Sequence, residues 1–459
     1  MIVEPDHRAN SRYRKAAWPD PELVHKYIVM PFPTSFLFTT ENIICDMAKH
    51  VASSSRLQKR TIQQLPIPER TGHDAIIDST YLDDIESALE RWKCQRVFLV
   101  HSRALDEATD VIKDLKERLG PLIVGTKSGV GAHSPYPDVL DIASSLVEHD
   151  IHCLISIGSS SYSDASKIAR LMQANLGPEH LTIDTMEALV NQEKGNAENL
   201  KDPTCCLILV PTSLSASEWN NTSSATNPQT QKKQHFTSSG AAPDLILLDP
   251  EVASTSPRKL WLSSGMRAID HCVETMVNER CTKEVFSHMQ GALETLLKGL
   301  REYKDGEASH DRDGILDGIS TCQLGSRDAM MGLLIWKTPM GLSHTIGHQL
   351  GSVCGVMHGV TTCIMLAPVL RYFYGKRKVA QDNVLKVWNE ALGWEEENLA
   401  DAVNKFVKIL ELPSTLKEVG VEKEEDLDRI AGHTLTDILG AGEGIGKEDV
   451  KNILNMARG

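Results

Sequence analysis

From Asp83 onward the spacing of apolar positions changes at regular intervals. "DDIESALERW" is amphipathic at helical period, and "RVFLVHS" is a short apolar run of strand length. "EATDVIKDLKERLG" is helical and closes on Gly120, "PLIVGT" is apolar again, "PDVLDIASSLVEHD" is helical, and "IHCLISIG" is a strand stopping at Gly158. Strands and helices alternating at this interval predict a parallel sheet covered on both faces. "CCLILVPTS" and "PDLILLDPEV" add two strands. Between them "SLSASEWNNTSSATNPQTQKKQHFTSSG" is rich in Ser, Thr, Asn and Gln, which predicts an exposed polar insertion over residues 219–240.

After about Pro257 the strand-like runs stop. Helical segments continue to the end, among them "VFSHMQGALETLLKGLREY", "TTCIMLAPVLRYF", "NLADAVNKFVKILEL" and "KEDVKNILNMA". A chain of 459 residues exceeds what one core usually supports. The predicted organisation is a polar extension over residues 1–30, a Rossmann-like α/β domain over 31–257 with a parallel sheet, and an all-α domain over 258–459.

Composition narrows the function. A formal net charge of -14 opposes binding of nucleic acid through overall field, which needs surplus Lys and Arg. No run reaches the roughly 18 apolar residues of a membrane span, and "MIVEPDHRANSRYRK" lacks an apolar core of signal-peptide length. The ten cysteines are scattered without a C-x-x-C pair, as buried thiols of an intracellular protein would be. A cytoplasmic enzyme acting on a small molecule is the expectation.

Two stretches carry candidate chemistry. "LISIGSSSYSDASKIARL" reads as strand, turn and helix, a geometry that aims backbone N–H groups at an anion. Gly158, Ser159, Ser160 and Ser161 are small enough for a phosphate to approach, although phosphate loops generally use several glycines. A Ser-capped helix start is the competing reading, with Asp164 and Lys167 a solvated pair. In the second stretch, "SSGMRAIDHCVETM", Arg267 and His271 share a helical face, and "GLSHTIGHQLGSVCGVMHG" adds His344, His348 and His358. Three imidazoles in fifteen positions point to a shared pocket. A divalent metal there would face the Arg267 guanidinium, a repulsion of several kcal/mol at an effective dielectric near 20. The set suits an anion instead: guanidinium grips a carboxylate, and imidazoles move protons near neutral pH.

In sequence order, "GSSSYSDASK", "PTSLSASE", "DPEV", "SSGMRAIDHCVE", "GLSHTIGHQLG" and "MHG" resemble the iron-containing alcohol dehydrogenase superfamily, with its dehydroquinate synthase-like fold, and most closely its maleylacetate reductase branch. The resemblance spans roughly residues 85–440. It implies that Gly158, Ser159, Ser160, Ser161, Asp164 and Lys167 stand in the phosphate loop, where Ser159 and Ser160 replace glycines. Thr212, Ser213 and Ser217 would line the cofactor, with Ala216 in a glycine position and Glu218 kept. Ser102 falls where NAD-preferring members often carry an acidic residue.

In the metal-dependent branch the ligands are an Asp and three His, which correspond here to Arg267, His271, His344 and His358; His348 matches a further histidine near nicotinamide and substrate. Maleylacetate reductases also lack that Asp and are regarded as working without metal. The resemblance therefore implies a metal-independent NAD(P)H-dependent reductase of an unsaturated acid or carbonyl compound, commonly a homodimer, with Arg267, His271, His344, His348 and His358 catalytic. Two alternatives stay open. One is a lyase or isomerase using the same pocket without nicotinamide. The other is a metal-dependent alcohol dehydrogenase holding its ion on His271, His344 and His358, to which Asp270 would add little because it sits next to His271 on a face turned away.

Overall fold

The apolar runs assemble into one seven-stranded sheet. This computed structural model describes residues 58–190, 200–230, 232–437, 440, 442 and 444–459, so the expected extension over 1–30 and the start of the expected α/β domain lie outside the described residues. Before the rhythm read from the sequence begins, β1 (Arg60–Gln63) and β2 (Asp74–Ile77) already form. The apolar pattern does not announce them, because four-residue strands show almost no periodicity. Then follow α1 (Tyr81–Trp92), β3 (Val97–His101), α2 (Arg103–Ala108), α3 (Val111–Leu119), β4 (Ile123–Ser128), α4 (Tyr136–Glu148), β5 (Cys153–Gly158), α5 (Ser160–Asn175), α6 (Ile183–Ala188) and β6 (Cys206–Pro211). A hairpin of β7 (Thr222–Asn227) and β8 (Lys232–Thr237) precedes β9 (Leu245–Leu248).

Strand order is β1-β2-β9-β6-β5-β3-β4, parallel throughout except for the antiparallel β1–β2 pair. Inner strands β3 and β5 are buried along their whole length, so they read as continuous apolar runs. One sheet face packs Val100, Leu154 and Leu207 against Ile142 of α4 and Ile168 of α5. The other packs Leu99, Ile155 and Ile208 against Ile85 of α1 and Ile112 of α3. Coverage on both faces fails at β4, whose residues alternate between half-buried and exposed because it is an edge strand. The chain runs from β3 outward to β4 and returns to β5 on the other side of β3. That reversal makes the carboxyl ends of β3 and β5 the switch point, the place where open α/β sheets take ligands.

Helices alone follow: α7 (Pro250–Ser254), α8 (Arg258–Met276), α9 (Lys283–Ser309), α10 (Arg312–Leu334), α11 (Leu342–Cys354), α12 (His358–Leu392), α13 (Leu399–Ile409), α14 (Glu424–Thr434) and α15 (Lys447–Met456). Sheet and helices together belong to one compact unit, Ser55–Gly459. At its centre α8 is buried from Trp261 to Met276, wrapped by α9, α10 and α12 through Met266, Ile269 and Val273. Among the described residues no helix is long and apolar enough to cross a membrane, and all nine cysteines are free thiols.

The polar insertion is not an exposed excursion. Ser223, Ala225 and Asn227 of β7 and Phe236 of β8 are buried, with Ala225 and Phe236 packed beside Tyr136 and Ala165. Its Ser and Thr residues conceal a period-two pattern, since small hydroxyl side chains pack on a sheet face as readily as they face water. The free edge of β7 is sealed by Asp164, which accepts from Ser224 N at 3.1 Å, and by Ser134 O, which accepts from Thr226 N at 3.2 Å.

Candidate active site

Three helices bring the predicted histidines together. Arg267 and His271 lie one turn apart on α8, His344 and His348 one turn apart on α11, and His358 opens α12. Close helix approach is needed, and two glycines permit it. A Cβ on Gly359 would lie 2.6 Å from the Ser263 carbonyl carbon, and one on Gly347 2.7 Å from Thr361 Oγ1. The ring centroid of His344 stands 5.2 Å from that of His271, 5.0 Å from His348 and 6.0 Å from His358, while His348 and His358 stack at 5.4 Å. A nitrogen of each of His344, His348 and His358 lies within 4.8 Å of the others.

Arg267 enters this group. Its Nη2 donates to His344 Nε2, and its Nη1 donates to Thr362 Oγ1 at 3.2 Å. A guanidinium can only donate, so His344 Nε2 is the acceptor, and a neutral ring then carries its proton on Nδ1. That Nδ1 faces Asp270 Oδ2 at 3.5 Å. The reading of Asp270 as turned away is thereby corrected. It lies three residues beyond Arg267, close enough in helical angle to share its face, and it sits buried behind His344. One turn further, Glu274 accepts from Gly341 N at 2.9 Å and Ser343 N at 2.8 Å, capping the helix that carries His344 and His348.

Burial sets the protonation states. Desolvation, reinforced by the Arg267 charge, lowers His271 to about 3 and holds His344 and His358 well below 6.5. His348 falls to about 4 by burial although its Nδ1 meets Asp437 Oδ2 at 3.2 Å. Arg267 is lowered by burial to about 10 and stays charged at neutral pH. Burial raises Asp270 to about 6 against the pull of Arg267, and raises Glu274 as well. Neutral imidazoles around one buried guanidinium are the result.

The sheet half supplies residues that the sequence does not single out. His133, in the loop after β4, meets His358 edge-on at 6.4 Å. It and Ser134 have φ of 62° and 50°, left-handed values that cost non-glycine residues of order 1 kcal/mol or more each and persist where surroundings enforce them. Here Thr226 Oγ1 donates to His133 O at 3.2 Å and Ser134 Oγ donates to Ser161 O at 2.9 Å. Across the hairpin, Lys233 pairs with Thr226 and His235 with Ser224, on the face opposite Phe236. The Lys233 charge lowers His133, His235, His348 and His358 in addition to their burial.

The predicted nucleotide residues gather at the carboxyl edge of the sheet. Gly158 ends β5 beside Pro211 of β6, Thr212 N donates to Gly158 O at 3.0 Å, and Ser102 N donates to Ile157 O at 3.0 Å. Ser159 is the N-cap of α5, with Ser160 and Ser161 in its first turn. Ser217 Oγ donates to Ser160 O at 3.4 Å, and Ser213 Oγ lies 3.3 Å from Ser215 Oγ. Asp164 and Lys167 are not a solvated pair. Lys167 is fully buried, 3.3 Å from Asp164, and donates to Ser217 O at 2.6 Å and Asn220 O at 3.0 Å, pinning the second loop to α5. Ala216 has φ 64°, so the alanine in the glycine position adopts the conformation glycine favours.

A mostly parallel sheet with a small-residue turn at its switch point, together with a helix-borne imidazole group, is matched here by a family of dehydrogenase-type oxidoreductases. The chain belongs to the iron-containing alcohol dehydrogenase family: the description "Iron-containing alcohol dehydrogenase" matches residues 73–250, and that of the family's C-terminal part matches 261–458. It is 31% identical to Dehydrogenase ALT3 of Alternaria alternata over 376 residues, 74% of this chain and 93% of that protein. Dehydrogenase FUM7 of Gibberella moniliformis is 28% identical, over 75% of this chain and 85% of that one. In fold it is similar to maleylacetate reductase from Agrobacterium tumefaciens, with TM-score 0.63 and 18% identity over 84% of this chain and 95% of that one.

Proposed function

We propose that this oxidoreductase is a metal-independent, NAD(P)H-dependent reductase of an anionic unsaturated acid or carbonyl compound. One observation carries the reading: the Arg267 guanidinium donates to His344 Nε2, a nitrogen that an ion in the family's metal position would need. With that lone pair taken and a fixed positive charge in place, the residues do not fit a divalent metal. They fit an anion, and Lys233, whose charge acts on His358 although burial lowers its own pKa, adds to the positive field there. The nucleotide fits the sheet edge, where Gly158 and the N-terminus of the 16-residue α5 meet the hydroxyls of Ser159, Ser160 and Ser161.

A bound nicotinamide would supply hydride. Arg267 holds the substrate carboxylate or the oxygen that gains charge, acting as a preorganised donor in a dry site. His271 stays neutral and can donate one ring N–H to that anion, while the Nδ1–H tautomer of His344, set between Arg267 and Asp270, holds the guanidinium in place. The proton comes from His348 or His358. Burial, together with the charges of Arg267 and Lys233, holds both unprotonated in the free protein; an anionic substrate offsets those charges and raises both toward the working range. Asp437 then stabilises the imidazolium formed on His348.

The test combines two measurements on protein purified without chelator. Saturable enhancement of NADH or NADPH fluorescence, with less than stoichiometric iron and zinc by elemental analysis, is the expected result. No binding at millimolar cofactor, or one tightly held metal per chain, overturns it. A second reading, proton transfer alone at the same histidines, is favoured by one contact: the Tyr162 ring lies so close over Gly158 that a Cβ there would be 2.5 Å from it. The same titration separates the two.

A further inference from the structure

We infer that the cleft at the amino-terminal end of the sheet is a thiol-modification site, where a low-molecular-weight zwitterionic disulfide oxidises Cys94 and Cys206 to an internal disulfide. Three chain segments meet there. Cys94 follows α1, Cys153 opens β5 and Cys206 opens β6. Backbone bonds lace them together: His152 N and Cys153 N donate to Arg96 O at 2.9 and 3.3 Å, Gln95 N donates to His152 Nδ1 at 3.2 Å, and Cys206 N donates to His152 O at 2.9 Å. Cys153 and Cys206 are direct partners in the parallel ladder, so their side chains leave the sheet on one face, the face covered by α1 and α3. Cys94 packs on that face too, and its thiol is hydrogen-bonded to both of theirs. Cys205 belongs to the opposite face.

Access and charge set what can react. A cleft of about 300 Å³ reaches Cys94 between α1 and α3, and Glu86, Glu90, Lys93 and Arg118 also line it. Arg118 pairs with Glu86 at 2.8 Å, whereas Lys93 and Glu90 enter no ion pair among the described residues, which leaves one charge of each sign for a zwitterionic ligand. Cys153 is fully buried, whereas Cys206, the first residue of its strand, is half-buried and is the partner with room to rotate.

Hydrogen bonding to Cys153 and burial push Cys94 up to about 12, and Cys153 and Cys206 are raised as well, so all three are protonated thiols that a dilute oxidant attacks slowly. A disulfide held in the cleft offsets this through proximity. The Cys94 sulfur gives up its proton and bonds to one sulfur of the ligand; the ligand's S–S bond breaks, and the released half leaves as a thiol carrying that proton. Cys206 then gives up its proton and attacks the Cys94 sulfur, forming the internal disulfide and expelling the second half as a thiol. The two protein thiols lose two electrons and the ligand gains them.

Incubation of the full chain with millimolar glutathione disulfide, followed by non-reducing peptide mass mapping, tests this. A Cys94–Cys206 cross-link that dithiothreitol reverses is expected. Cys206→Ser is expected to stop the reaction at a glutathione adduct on Cys94, and Cys94→Ser to leave Cys206 unmodified; Cys94→Ala repeats the second measurement if the serine variant does not fold. With rates normalised to those for free cysteine, the uncharged bis(2-hydroxyethyl) disulfide is expected to form the cross-link roughly 2- to 5-fold more slowly, the factor of one exposed ionic contact. No modification of Cys94, an adduct that persists there in the unmodified protein, or a Cys94–Cys153 cross-link overturns the pairing. Equal normalised rates overturn the zwitterionic ligand.

Discussion

Arg267→Asp exchanges the buried guanidinium for the residue type that holds metal in related enzymes. In the metal-free variant two buried carboxylates, the introduced one and that of Asp270, would share one helical face with no cation between them, and His344 Nε2 would lose its donor. Stranding a buried charge costs about 3–5 kcal/mol, so a thermal midpoint several degrees lower in chelator is expected. An Asp with His271, His344 and His358 makes four metal-ligand donors, and zinc at about one hundred times its dissociation constant restores about 2.7 kcal/mol. Differential scanning calorimetry with zinc and with EDTA reads both effects. The unmodified protein should be indifferent to EDTA. Reductase turnover should fall roughly 10²- to 10³-fold in the variant, as when an oxyanion donor is removed. Arg267→Met controls for misfolding: it should lose activity without gaining a zinc-dependent midpoint. Undiminished turnover in either variant, or a chelator-sensitive unmodified protein, would refute the argument.

Removing the Asp437 carboxylate in Asp437→Asn should lower kcat about tenfold at unchanged cofactor affinity and move the alkaline limb of the pH profile to lower pH, because the imidazolium on His348 loses its counter-charge; an unmoved alkaline limb excludes His348 as the donor. Glu274→Gln keeps one acceptor for the two N–H groups at the start of α11 and should cost about 1 kcal/mol in urea denaturation, whereas Glu274→Ala should cost roughly 2–4 kcal/mol, and equal costs would exclude capping by that carboxyl. The buried neutral rings should weaken stability on acidification. His133, His235 and His348 are held at about 4 and His271 at about 3, so from pH 6.5 down to 4 the unfolded chain takes up protons that the folded chain refuses, a loss of up to about 1.4 kcal/mol per pH unit for each ring. Asp270, raised to about 6, Glu218, raised to about 7, and Glu274, also raised by burial, act oppositely, so the ring contribution is the part of the slope that His133→Gln and His235→Gln remove; a slope between pH 7.5 and 5.5 unchanged by both substitutions contradicts the buried neutral rings.

What can be read from the sequence divides along physical lines. Strands β3, β5, β6 and β9 are legible because burial on both faces demands unbroken apolar runs, and Arg267, His271, His344 and His348 because i, i+4 spacing on a helix is local geometry. The hairpin is misleading because its Ser and Thr residues pack on a core despite polar composition. Asp270 is misleading because adjacency to His271 suggests a face turned away, whereas its three-residue offset from Arg267 decides where it points. His133, Lys233 and Asp437 escape notice because their partners come from distant segments: Asp437 is 89 residues from His348. For His133, its place just after a strand and before the Pro135 helix start is the one local signal.

The β7–β8 hairpin has a consequence for how this protein can change. One face is committed to the core through Ala225 and Phe236, while the other carries Ser224, Thr226, Lys233 and His235. Period-two geometry makes the two sets independent, so residues on one face can be exchanged without disturbing packing on the other. The hairpin is thus a replaceable cassette: diversification of Lys233 and His235 in a library would retune ligand preference while the sheet and helices that hold Arg267 remain as they are.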